Sequence, residues 1–233
     1  MDYQNYQDYS TVQTSDSRVS WVMRRVYLKM FLGLLATALV ALWTASSPAI
    51  AQLVLGGSAS YWILAIVEIG LVIWISAGIN KMSSTTATLL FFLFAIVNGF
   101  TLSVIFFAYA AAAIAKAFFI TAGTFAAMSI YGFTTKADLT KFGSFLMFAL
   151  FGLIIASVVN IFLKSSQLDW IISLVGVFLF LGLTAWDTQS AKRMAMAAPD
   201  EMLGKVATIS ALSLYLDFIN LFLYLLRIFG NRD

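Results

Sequence analysis

From Phe142 to Leu163 the chain carries no charged side chain, and six other stretches are nearly as apolar. Nothing else limits the fold so strongly. A helix needs about 20 residues to cross a ~30 Å hydrocarbon core. The candidate spans are Tyr27–Ala45, Tyr61–Ile79, Ala87–Tyr109, Ala115–Phe133, Phe142–Leu163, Trp170–Thr188 and Ala207–Phe229. Only a short Ala-rich stretch, Ala110–Ala115, and Lys116 divide the third from the fourth. Lipid offers backbone groups no water, so a spanning segment is either a helix or part of a closed barrel. Barrel strands alternate in polarity over about ten residues, and these runs do not. The expected fold is an all-α integral membrane protein, a seven-transmembrane-helix bundle.

Composition agrees. The chain is 61% hydrophobic and 11% charged, against about 25% charged in soluble domains, so lipid must cover what polar side chains cannot. Cysteine and histidine are absent, which excludes disulfides, thiolate or imidazole metal ligation and a Ser-His-Asp triad. Any response to pH near neutrality must come from a perturbed carboxylate. The net charge of +3 is spread over loops, without the basic stripe of a nucleic-acid binder. The bilayer is the partner this composition demands. Residues 1–20 are polar, with no apolar core or cleavage site, and read as a disordered polar tail rather than a signal peptide. Residues 21–233 form the transmembrane domain.

Arg18, Arg24, Arg25, Lys29, Lys81, Lys136, Lys141, Lys192, Arg193 and Lys205 fall on one side of the expected spans. Lys116, Lys164, Arg227 and Arg232 fall on the other. The positive-inside rule then predicts a cytosolic N-terminus and, after seven crossings, a C-terminus outside.

Asp187 and Asp217 stand inside the last two spans. A carboxylate at bilayer depth costs roughly 2.5–3.5 kcal/mol on insertion scales. On consecutive helices, both in the cytosolic half, the two side chains can meet. Carboxyls in contact away from water cannot both ionise cheaply, so they share a proton and titrate as one unit. Such a pair holds or passes a proton or a cation, and Ca²⁺ suits carboxylate and carbonyl oxygens. Asp187 and Asp217 are thus the expected sensor, ion pathway and Ca²⁺ ligands. Along the last span Ser210, Ser213, Asp217, Asn220 and Tyr224 recur at helical spacing and form one polar face. Glu68, near the middle of the second span, either lines the same pathway or caps a buried network. Asn220 is a further pathway candidate. Asn98 and Thr101 read as packing polar groups, and Asp138 as a solvated loop charge. Gly123 with Ala127, and Gly152 with Ala156, have the four-residue spacing of close helix contacts.

Four stretches resemble the Bax inhibitor-1 family, also called the transmembrane Bax-inhibitor-motif family. They are Phe125-Ala-Ala-Met-Ser-Ile-Tyr-Gly132, Thr134-Thr-Lys-Ala-Asp-Leu-Thr140, Gly182-Leu-Thr-Ala-Trp-Asp-Thr-Gln189 and the segment from Leu214 to Gly230. The resemblance implies a seven-helix bundle with the last helix central. It also implies a pH-sensitive Ca²⁺ leak whose sensor is an aspartate pair matching Asp187 and Asp217. Some relatives latch that pair with a basic residue in the second helix. Here Tyr61–Ile79 holds only Glu68, so the latch does not carry over. The connection between the last two helices reads as roomy, around Met194–Glu201. The end at Asp233, without the basic tail of many animal members, points to a bacterial-type relative in the inner (plasma) membrane, without anti-apoptotic activity.

Two other functions fit buried acids, namely proton-coupled transport of another solute and a regulator or scaffold with no flux of its own. An enzyme is not expected. Intramembrane aspartyl proteases need Gly-x-Gly-Asp around the second acid, and this chain has Leu214-Tyr-Leu-Asp217. A retinal protein needs a lysine in the last helix, where the only cation is Arg227. No cofactor is expected beyond Ca²⁺ as a bound or transported ion.

Overall fold

A computed structural model describes residues 3–230. Every regular element among them is helical: α1 (Tyr3–Ser46), α2 (Pro48–Leu55), α3 (Ser58–Gly78), α4 (Ser84–Leu102), α5 (Ile105–Ala108), α6 (Ala111–Thr134), α7 (Thr140–Leu163), α8 (Ser166–Ala197), a 3-10 turn (Asp200–Met202) and α9 (Leu203–Phe229). Among the described residues, six helices are long and apolar enough to cross a membrane, with α5 continuing the α4 span. The remaining expected crossing is α3, whose apolar part, Trp62–Gly78, is shorter.

Local chemistry explains the boundaries. Proline disfavours helical backbone in the residue before it and suits the first turn of a new helix. Ser47, preceding Pro48, is accordingly extended, and α1 ends there. The third expected span breaks after Leu102, where Ser103 turns its hydroxyl back onto the Phe100 carbonyl at 2.6 Å. Tyr109 and Ala110 are extended, so the Ala-rich division lies where the sequence put it. Ser83 and Ser165 cap α4 and α8 by accepting from the N–H groups of Thr86 and Leu168.

Helix α1 runs from Tyr3 with no glycine or proline before Gly33, and Val19 is buried in the bundle. One expectation changes. The connection between the last two spans is tight rather than roomy. Helix α8 runs on through Ala-rich sequence, a strong helix former, to Ala197. Ala198 then turns extended before Pro199.

Helix α9 is the centre of the bundle. It packs against α8, α1, α6 and α4, and most of its apolar stretch is buried, whereas most of that of α7 is exposed. Tyr215, Leu212, Leu214 and Leu221 are fully enclosed. Phe148 and Phe162 on α7 stand outward, as lipid-facing side chains should.

Close approaches are set by glycines other than those the spacing suggested. A Cβ added at Gly123 or Gly152 would meet nothing within 4 Å, so neither glycine marks a close helix approach. At Gly132 a Cβ would lie 2.2 Å from the Ala185 carbonyl oxygen, and at Gly143 2.1 Å from Trp186 Nε1. Both glycines let α8 approach, α6 in the first case and α7 in the second.

Candidate functional site

The α8–α9 interface brings Asp187 and Asp217 together, with their carboxyls within side-chain hydrogen-bonding reach of each other. Asp217 is 4% exposed and Asp187 half-buried. Asp217 Oδ2 is enclosed and receives no N–H or O–H from another described residue. An ionised carboxylate left this way is costly in an apolar interior, so a proton held between the two acids is the simplest way to satisfy it. Around the pair, Thr184 is buried and turns its hydroxyl to the Phe180 carbonyl, while Thr188 reaches Ser129 of α6 at 3.4 Å. Among the described residues no three metal-binding side chains of the His, Cys, Asp or Glu types converge. Ca²⁺ takes six to eight oxygens, so two carboxylates would hold it only with carbonyls, hydroxyls or water. That suits a passing ion better than a resident one.

The polar face of α9 divides. Ser210 is buried without a partner among the described residues. Asn220 donates to the Leu216 carbonyl within its own helix and borders a cavity beside α3 and α4. Tyr224 stacks on Phe180 of α8, above Gly176.

Glu68 belongs to a second polar centre. It accepts from Thr101 Oγ1 at 2.5 Å and from Asn98 Nδ2 at 3.3 Å. Asn98 Oδ1 in turn accepts from the Tyr215 hydroxyl at 3.0 Å, and that hydroxyl lies 2.7 Å from Thr37 Oγ1. Four helices, α3, α4, α9 and α1, are joined by this chain. Asn98 and Thr101 are therefore more than packing groups. Their three-residue spacing, opposite an acid in a neighbouring span, was the available signal. Tyr215 gave none, because an aromatic in an apolar run reads as core. Glu68 and Asn220 line one cavity of about 680 Å³, and neither aspartate does.

Lys29, counted among the cations at the start of the first span, turns toward the bundle from α1. Its ammonium donates to Thr88 of α4 at 2.8 Å and Thr208 of α9 at 2.5 Å. Elsewhere at this end, Arg18 pairs with Asp200 at 3.1 Å and Lys205 donates to the Asn80 carbonyl at 3.1 Å. Gln189 clamps the α6–α7 connection, accepting from Leu139 N–H at 2.9 Å and donating to the Ala137 carbonyl at 2.8 Å. Asp138 is exposed but not idle. The Thr140 hydroxyl, the Thr140 backbone N–H and Arg193 hold its carboxyl down at about 2. Two of the sequence motifs, 134–140 and 182–189, thus meet across this clamp.

A helical bundle whose buried central helix carries a carboxylate facing another on the preceding helix is that of a polytopic membrane protein. A family described as "Inhibitor of apoptosis-promoting Bax1" matches residues 19–233. The inner membrane protein YbhL of Escherichia coli K12 is 49% identical over 213 residues, covering 90% of this chain and 91% of the relative. Proteins of Borreliella burgdorferi and Rickettsia prowazekii are 46% and 43% identical, covering 90% and 94% of this chain and 91% and 93% of the relatives. The chain belongs to the Bax inhibitor-1 family and is an integral membrane protein, similar to proteins of bacterial inner membranes.

Proposed function

We propose that this protein is a pH-sensitive Ca²⁺ leak of a bacterial inner membrane, gated by a proton shared between Asp187 and Asp217. The observation that carries the reading is the meeting of the two carboxyls across α8 and α9, with one oxygen of Asp217 enclosed and otherwise unserved. With the proton in place the pair ties α8 to the central helix. Its loss leaves like charges facing each other at low dielectric, which drives the helices apart or draws in a cation. Ca²⁺ is then the ion that moves, with the two carboxylates as transient ligands.

Seven crossings, counting α3, with the N-terminus in the cytosol and the C-terminus outside complete the proposal. Clustering of Arg18, Lys192, Arg193 and Lys205 around the α6–α7 and α8–α9 connections and the start of α9 supports this orientation. Because the chain lacks cysteine, single introduced cysteines probed with an impermeant reagent test it directly.

Proteoliposomes loaded with a Ca²⁺ indicator test the gate. Wild-type protein should pass Ca²⁺ in a pH-dependent manner, and Asp187→Asn and Asp217→Asn should each flatten that dependence. If Ca²⁺ does not move while a pH dye reports proton flux, coupled transport of another solute replaces the leak. No flux of either kind leaves a regulator or scaffold.

A further inference from the structure

We propose that the cavity beside Glu68 is a binding site for an organic cation with a protonated amine and an apolar body, separate from the aspartate pair. Glu68 stands midway along α3, and both of its hydrogen-bond donors, Asn98 and Thr101, are neutral. Among the described residues it forms no ion pair. A carboxylate at this depth without a counter-charge is a standing attraction for a cation. The volume, about 680 Å³, lies within the roughly 300–1,000 Å³ range of small-molecule sites.

The walls select the rest of the ligand. Ile69, Val72, Phe94 and Leu102 present hydrocarbon, which an inorganic ion cannot use. One carboxylate with neutral companions is too few ligands for a divalent ion, and its charge does not favour an anion. Arg227 also borders the cavity, but Asp169 faces it at 3.8 Å. Among the described lining residues the cation is therefore matched, and the acid without an opposite charge is Glu68. An amphipathic amine places its ammonium on Glu68 and its body against α3, α4 and α9.

Neither Asp187 nor Asp217 lines the cavity, and the inference does not depend on the leak.

The test uses the full chain in phosphatidylcholine nanodiscs, titrated with the fluorescent amine 1-naphthylmethylammonium, with empty nanodiscs subtracted. Saturable binding is expected, displaced by octylammonium and not by octanol. Glu68→Gln, whose amide oxygen still accepts from Thr101, should weaken it by about tenfold or more, the equivalent of one modest ion pair. Val72→Trp, one turn along α3, fills the cavity and should abolish binding with the carboxylate intact. Asp217→Asn should bind as wild type. Absence of saturable binding, binding indifferent to both Glu68→Gln and Val72→Trp, or loss of binding in Asp217→Asn would each overturn the proposal. Should Glu68→Gln fail to fold, Val72→Trp and the octanol control decide.

Discussion

Tyr215 and Asp217 share α9 but serve opposite sides of it: the Tyr215 hydroxyl donates to Asn98 at 3.0 Å toward α4, while the Asp217 carboxyl meets Asp187 on α8. The central helix thus carries two polar assemblies that do not touch, and variants on one side should leave the other working.

The aspartate pair should behave as one unit. Asp187→Asn and Asp217→Asn are each expected to remove the pH dependence of Ca²⁺ flux, and the double variant should do little more. Residues in direct contact typically couple by about 0.5–3 kcal/mol. A double-variant cycle on thermal stability in detergent measures this. Additive effects would mean that the acids act apart.

Tyr215→Phe removes a hydroxyl that joins Thr37 to Asn98. The expected cost is about 0.5–2 kcal/mol, since interhelical hydrogen bonds in membranes are modest and the buried Asn98 oxygen loses its donor. Melting of the purified variant reports it. Flux should keep its wild-type pH response.

Two glycines offer a matched contrast. Gly132→Ala forces a Cβ onto the Ala185 carbonyl oxygen at 2.2 Å and should destabilise the α6–α8 contact by about 1–3 kcal/mol. Gly123→Ala, on the same helix with nothing within 4 Å, should be neutral or slightly stabilising. Thermal melts of the two variants side by side check both.

The Asp138 clamp has a defined pH window. An aspartate carboxyl normally titrates near about 3.9. Hydrogen bonds from Thr140, with the Arg193 pair, lower that of Asp138 to about 2. A group whose folded value is depressed contributes stability that is fully present above the unfolded value and lost as pH falls through the folded one. The clamp is therefore constant at neutral pH and weakens only between about pH 4 and pH 2. Limited proteolysis of the α6–α7 connection should show protection at pH 5–8, lost in Asp138→Asn. A pH response near neutrality must arise elsewhere.

The sequence by itself determined that this is a helical membrane protein and where along its helices the acids fall. Uninterrupted apolar runs admit no other fold, and the helix boundaries at Ser47 and Ala198 follow from the prolines after them. What tertiary structure decided was direction. In lipid the outer face of a helix is as apolar as its inner face, so hydrophobic pattern does not tell which way a helix is turned. The outcome at several residues rested on that rotation. Gly132 is a contact and Gly123 is not, Asn98 and Thr101 face Glu68, and Lys29 points inward to Thr88 and Thr208. Asp187 meeting Asp217 was plausible from spacing alone, but only the packing of α8 on α9 put the carboxyls in reach.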